Sequence, residues 1–209
     1  MALNTAAHGD DPNLRAHIML NLSTLTFEQG RREDAIALLR LALGDERVDP
    51  AERANLHAVC ARHCGGVGDR QAALRHLGLA EAALAQADPT AAAGWARRVT
   101  GAPGHFDQVL GMAQFAINDH DAAARRFDAA LAALGPDRAR TEARCRTRAA
   151  IIAWRRGDDA VASGHAERVL HAAADIRSTR TRADLALLAD AAVAVEHVDL
   201  GHALRAAAG

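Results

Sequence analysis

The stretch EQGRREDAIALLRLAL, residues 28–43, decides the fold. A helical run leads into Gly30, polar residues follow, and a second apolar run opens at Ala35. Glycine reaches the left-handed conformation at which helices commonly stop, so Gly30 reads as a turn between two helices. The same grammar recurs in GVGDRQAALRHLGLAEAAL (66–84) and RRGDDAVASGHAERVL (155–170). Gly68 precedes Ala73 by five positions, and Gly157 precedes Ala162 by five. INDHDAAARRFDAALAAL (117–134) places Asn118 at the glycine position and Ala123 five later. Asparagine is the usual substitute at such a turn, so the register holds.

The turns lie 38, 50 and 39 residues apart (68−30, 118−68, 157−118). Uniform arrays of paired helices repeat at about 34 residues, so these connections carry insertions. The largest is DPTAAAGWARRVTGAPGH (88–105), where Pro89, Gly94, Gly101, Pro103 and Gly104 interrupt any long helix.

On these segments the chain resembles the tetratricopeptide repeat (TPR) family. The resemblance implies helical hairpins, a first and a second helix, with small and bulky residues at fixed positions. Aligned on the turns, the small position of the first helix falls at Ser23, Ala61, Gly111 and Ala150. Those of the second fall at Ala35, Ala73, Ala123 and Ala162, then at Ala42, Ala80, Ala130 and Val169. Between them the bulky position holds Leu39, Leu77, Phe127 and, less typically, Ala166. The expectation is an all-α, TPR-like stack of about four irregular units over 13–176. Residues 1–12 read as a disordered or loosely ordered N-terminus, and 177–209 as a C-terminal capping helix region. In that region Leu185, Leu188, Ala192 and Val195 keep a helical period behind Ser178 or Thr179 as cap. A capping helix covers the apolar surface that a repeat end would expose.

Composition agrees with close-packed helices. Half of the 209 residues are apolar, alanine supplies much of that, and aromatics are 3%. The net charge of −1 draws the chain to neither nucleic acid nor anionic lipid. No apolar run approaches the roughly 20 residues that span a bilayer, and MALNTAAHGDDPNLR has no secretory pattern. Three cysteines do not make a disulfide framework, so a reducing cytoplasm is the expected compartment.

Irregular repeats, a Trp-bearing insertion and the closing IRSTRTRADLALL together resemble the C-terminal sensor half of Xre-type helix-turn-helix regulators, common in actinobacteria. The exclusive use of arginine as basic residue fits high-GC coding. Residues 1–15 are too short for a DNA-binding head. The resemblance therefore implies a sensor module lacking its head, or a stand-alone relative, binding a peptide, protein or small molecule in a concave groove. Direct nucleic-acid binding and membrane binding are not expected; a homodimer is compatible. Groove-facing positions, by this register, are His17, Phe27, Asn55, Arg62, His105, Gln108, Met112, Phe115, Arg144, Thr147 and Trp154, with Trp95 as candidate plug. Arg144, Arg148 and Arg155 share a basic face that either binds an anion or pairs with acids on neighbouring helices.

Enzymatic motifs are absent: no G-x-S-x-G, H-E-x-x-H, phosphate-binding loop or dinucleotide fingerprint occurs. A catalytic alternative would use His17 and His105 as acid–base groups on a natural-product intermediate. The stretch HAVCARHCGG (57–66) crowds soft side chains together. In register, His57, Cys60 and Cys64 fall on a packing face, and Gly65 and Gly66 loosen the approach to the turn. No catalytic residue, cofactor or metal is assigned. A metal at His57, Cys60 and Cys64 would need a further donor, for which His76 is the candidate.

Overall fold

A computed structural model describes residues 11–88, 94–174 and 178–209, and these form an all-α fold of helical hairpins consistent with a helical repeat stack. Ten α-helices follow in order: α1 (Pro12–Glu28), α2 (Arg32–Leu43), α3 (Pro50–Gly66), α4 (Arg70–Leu84), α5 (His105–Ala116), α6 (His120–Ala133), α7 (Ala139–Arg156), α8 (Asp159–Ala173), α9 (Thr179–Ala194) and α10 (Val198–Ala208). None is long and apolar enough to cross a membrane. The described helices divide into two compact units, α1–α5 and α6–α10.

In the first unit α1 packs on α2 and α3 on α4, while α3 also touches α1, α2 and α5. In the second, α7 packs on α6, α8 and α9, and α9 on α10. Gly30, Gly68, Asn118 and Gly157 all adopt the left-handed backbone, at φ 83°, 85°, 60° and 80°. Each turn is closed by one pair of bonds. After Gly68, for example, Asp69 N donates to Cys64 O at 2.9 Å, and Gly68 N to Gly65 O at 3.0 Å. The bond from five residues back satisfies a carbonyl that the helix end would orphan. Every small and bulky register position, from Ser23 to Val169, is buried. Full burial of Leu39, Leu77 and Phe127 contributes about 1.5–3 kcal/mol each.

The C-terminal region is a hairpin, not one capping helix. Glu196 takes the left-handed turn at φ 68°, with His197 N donating to Ala192 O at 2.9 Å. Its spacing from Gly157 is 39 residues (196−157), and the small positions seven before and five after are Ala189 and Gly201, both buried. A charged, β-carbon-bearing residue at the turn hid this fifth copy, since the left-handed region normally selects Gly or Asn. Leu185, Leu188 and Ala192 are buried as the period requires, whereas Val195 is exposed at the helix end.

Two further departures concern termini and glycines. Residues 1–10 lie outside the described residues; Asp11 caps α1 by accepting from Leu14 N at 3.0 Å, and Pro12 opens the helix. Asp49 and Pro50 repeat that device at α3. Gly65 and Gly66 do not loosen α3, which continues through both. A β-carbon on Gly65 would stand 2.9 Å from Ile117 Cγ2, and one on Gly66 2.9 Å from Phe27 Cζ. Their bare backbone admits α5 and α1 to close approach.

Candidate functional site

The first unit gathers a polar chain across α1, α3 and α5. His17 Nδ1 lies 3.1 Å from Glu52 Oε1, and Asn55 Nδ2 donates to the same oxygen at 3.4 Å. On its other side Asn55 Oδ1 meets His105 Nε2 at 3.1 Å. Glu52 and Asn55 are each 1% exposed, whereas His17 and His105 are half-buried. The carboxylate and amide are thus the buried middle of the chain and the imidazoles its more exposed ends. Burial pushes the Glu52 carboxyl up from its ordinary value, against the opposing pull of His17 and Asn55. Glu52 Oε2 is buried with no hydrogen-bond partner among the described residues. Such an oxygen costs about 1–3 kcal/mol, a cost that an incoming N–H donor removes.

Trp95 stands beside the His17 end of this chain. Its ring lies 5.4 Å from that of His17, and its Nε1 donates to Asp11 Oδ2 at 3.2 Å. The insertion around it forms a 3-10 turn (Ala96–Arg98) with Ala96 and Ala102 buried; Pro89 lies outside the described residues.

Of the groove residues expected from sequence, His17, Asn55 and His105 therefore converge. The others have other surroundings. Gln108 and Met112 are buried, and Phe115 is half-buried. Arg62 donates to Thr24 Oγ1 at 3.3 Å. Phe27 stacks on His63, with centroids 4.1 Å apart and planes 5° from parallel. Glu52 escaped sequence reading because it stands three residues after Asp49, where a capping-box glutamate normally reaches back to the N-cap backbone N–H. Its backbone N does donate to Asp49 Oδ1, at 2.7 Å, but its carboxylate turns inward.

In the second unit the expected groove residues bond internally. Asp184 of α9 sits 2.5 Å from Arg148 and 3.5 Å from Arg144, so two members of the basic face pair with an acid on a neighbouring helix. The Thr147 hydroxyl donates to Ala143 O at 2.9 Å, and Trp154 Nε1 to Asp159 Oδ1 at 3.1 Å.

The soft residues of HAVCARHCGG divide. His63 faces Phe27 and is fully buried. Cys60, Cys64 and His76 of α4 bring one donor atom each within 4.8 Å of one another. His57 Nδ1 lies 3.0 Å from His76 Nδ1. His76 thus joins the two cysteines, while His57 meets His76 but stands outside that triad. No family model matches the chain, and no curated protein matches it.

Proposed function

We propose that this chain is a non-catalytic TPR-type binding module, a regulatory sensor that takes a peptide, protein segment or small molecule on the α1–α3–α5 face of its first unit. The observation that supports this reading is the His17–Glu52–Asn55–His105 chain. It joins a buried acceptor oxygen, without a hydrogen-bond partner among the described residues, to two half-buried rings. A ligand group bearing N–H donors, such as a peptide backbone or an ammonium, satisfies Glu52 while stacking beside Trp95. In this reading the protein works in the cytoplasm and passes occupancy to a DNA-binding or protein partner.

Panning the protein against displayed random peptides and a small-molecule fragment library tests the proposal. Binders should lose at least roughly tenfold in affinity in Glu52→Gln or Asn55→Ala, because a charge-assisted hydrogen bond is worth about 1.5–3 kcal/mol. Binders indifferent to both substitutions would refute it.

A second reading has its own support: an imidazole held 3.1 Å from a buried carboxylate is an acid–base couple. Under it, His17 and His105 act on a natural-product intermediate. His17→Gln that leaves turnover unchanged in a reconstituted pathway eliminates this reading.

A further inference from the structure

We propose that Cys60, Cys64 and His76, with His57 as fourth donor, form a zinc site inside the α3–α4 hairpin.

Placement comes first. Positions 57, 60 and 64 follow helical spacing on the face of α3 turned to α4. His76 approaches from α4, six residues beyond its first residue, Arg70. The two sulfurs and a His76 ring nitrogen lie within 4.8 Å of one another. A tetrahedral zinc ion, with bonds of about 2.0 Å to nitrogen and 2.3 Å to sulfur, sets its donors roughly 3.3–3.8 Å apart. Cys60, Cys64 and His76 must contract onto the ion, and His57, which stands outside that triad, must turn toward the sulfurs. The two Nδ1 atoms, at 3.0 Å, already stand as close as two imidazoles on one ion.

Chemistry selects the ion. Two sulfurs and two imidazoles, with no carboxylate in the set, disfavour magnesium and calcium and suit zinc. Two thiolates offset the charge of a divalent cation, so the loaded site is neutral inside the hairpin. Ligation displaces the thiol protons of Cys60 and Cys64. Access exists as well: both cysteines are buried, yet His57 and His76 are half-buried and open the cluster to solvent.

Packing alone does not call for this arrangement. Alanine or leucine would fill the same face, as they do at Ala61 and Leu77. The pair of facing Nδ1 atoms in particular adds little to packing; without an ion one ring must commit its proton to the other.

Tag-free protein, reduced and freed of metal, is titrated with Co2+ and then with Zn2+. Expected are thiolate-to-cobalt charge-transfer bands in the near ultraviolet and intense visible d–d bands of a tetrahedral site. Both should bleach with stoichiometric Zn2+, which also raises the melting temperature. His76→Gln, at a half-buried position that leaves helicity unchanged, and Cys64→Ala should abolish the charge-transfer bands. Cys145→Ala, a buried cysteine of the other unit, should keep them. His57→Gln should weaken zinc by more than the roughly 10–100-fold of a lost outer-shell partner. Absence of cobalt bands in the wild-type protein, or their persistence in His76→Gln, overturns the site. An unchanged affinity in His57→Gln overturns the four-donor form.

Discussion

His17 Nδ1 lies 3.1 Å from Glu52 Oε1, so a ring from α1 reaches a carboxylate that α3 keeps almost wholly from water. The pair offers recognition at a cost in stability. Burial raises the Glu52 pKa, so its ionised form is the disfavoured one in the fold. For a raised carboxyl, the folded chain takes up a proton before the unfolded chain as pH falls. Its penalty is present above the folded pKa and is relieved as pH drops toward the ordinary value of 4.5. Glu52→Gln should therefore stabilise the protein by roughly 1–2 kcal/mol at pH 7. Urea unfolding at pH 7 and pH 5 should show that advantage shrinking in acid. A loss of stability at pH 7 would mean that the contacts of Glu52 with His17 and Asn55 outweigh its burial.

His63 has the opposite sign. It is fully buried against Phe27, and neither ring nitrogen finds a hydrogen-bond partner among the described residues. Burial, with Arg62 beside it, holds it down to about 3. The unfolded chain, at the ordinary 6.5, binds the proton first. Stability therefore falls as pH drops below that value, by about 1.4 kcal/mol per unit down to the folded one. By pH 5 the loss from this ring is roughly 2 kcal/mol. His63→Leu should remove it and be neutral or stabilising at pH 7.5, since two unpaired polar atoms leave the core. Denaturant midpoints at pH 7.5 and 5 decide: an equal acid loss in both proteins would place the titrating group elsewhere.

Much of the fold was legible because a left-handed turn leaves a compositional trace. Gly30, Gly68, Asn118 and Gly157 each announce themselves, and alanines five positions on fix the register. Glu196 leaves no such trace, and only the small residues at Ala189 and Gly201 betray its hairpin. The candidate site was half legible for a similar reason. His17, Asn55 and His105 follow from helix register, whereas the inward turn of Glu52 depends on a burial that spacing does not encode. His76 shows the same limit. Its helix was readable, but which side chains of α3 it would meet depends on how the two helices are rotated against each other.

The turn at Glu196 makes a sharp prediction. A residue with a β-carbon loses about 1–2 kcal/mol in the left-handed region. Glu196→Gly releases that strain and gives back part of it through the greater freedom of the unfolded chain. The net expectation is a gain of about 0.5–1 kcal/mol, read as a raised urea midpoint with unchanged slope. Glu196→Asn should fall between the two. Gly68→Ala, at φ 85° with open space around it, should lose about 1 kcal/mol by the converse effect.

Asp184 faces both Arg148, at 2.5 Å, and Arg144, at 3.5 Å, and is 6% exposed. Burial lowers the Arg144 pKa, with Asp184 as the main force opposing the shift. Removing one partner of a buried ion pair costs more than the pair contributes, because a desolvated charge is left uncompensated. Asp184→Asn should accordingly cost about 3 kcal/mol. Adding Arg148→Met to the same chain should recover part of that loss, since one of the two facing guanidiniums goes with it. A double-mutant cycle by urea unfolding measures the coupling. Additive effects would show that Arg148 and Asp184 do not stabilise each other.

Gly201 meets Val193 across the α9–α10 turn, and here the position lacks room for the alanine that the other four copies hold. A β-carbon there would stand 2.5 Å from Val193 Cγ2 and 3.2 Å from Ala189 O. Valine has few rotamers on a helix, so it cannot simply swing aside. Gly201→Ala gains about 1 kcal/mol in helix propensity yet incurs a clash of typically 1–3 kcal/mol. A net destabilisation of about 1 kcal/mol is expected. Val193→Ala trims the opposing methyls, and Val193 is half-buried, so the cavity it leaves is partly open to water. In the double variant the propensity gain of Gly201→Ala should then emerge, bringing stability back near or above that of Val193→Ala alone. Thermal unfolding of the four proteins reads this directly. If Gly201→Ala stabilises the chain without the second change, α9 and α10 have room to separate, and the close approach at this fifth turn is not required.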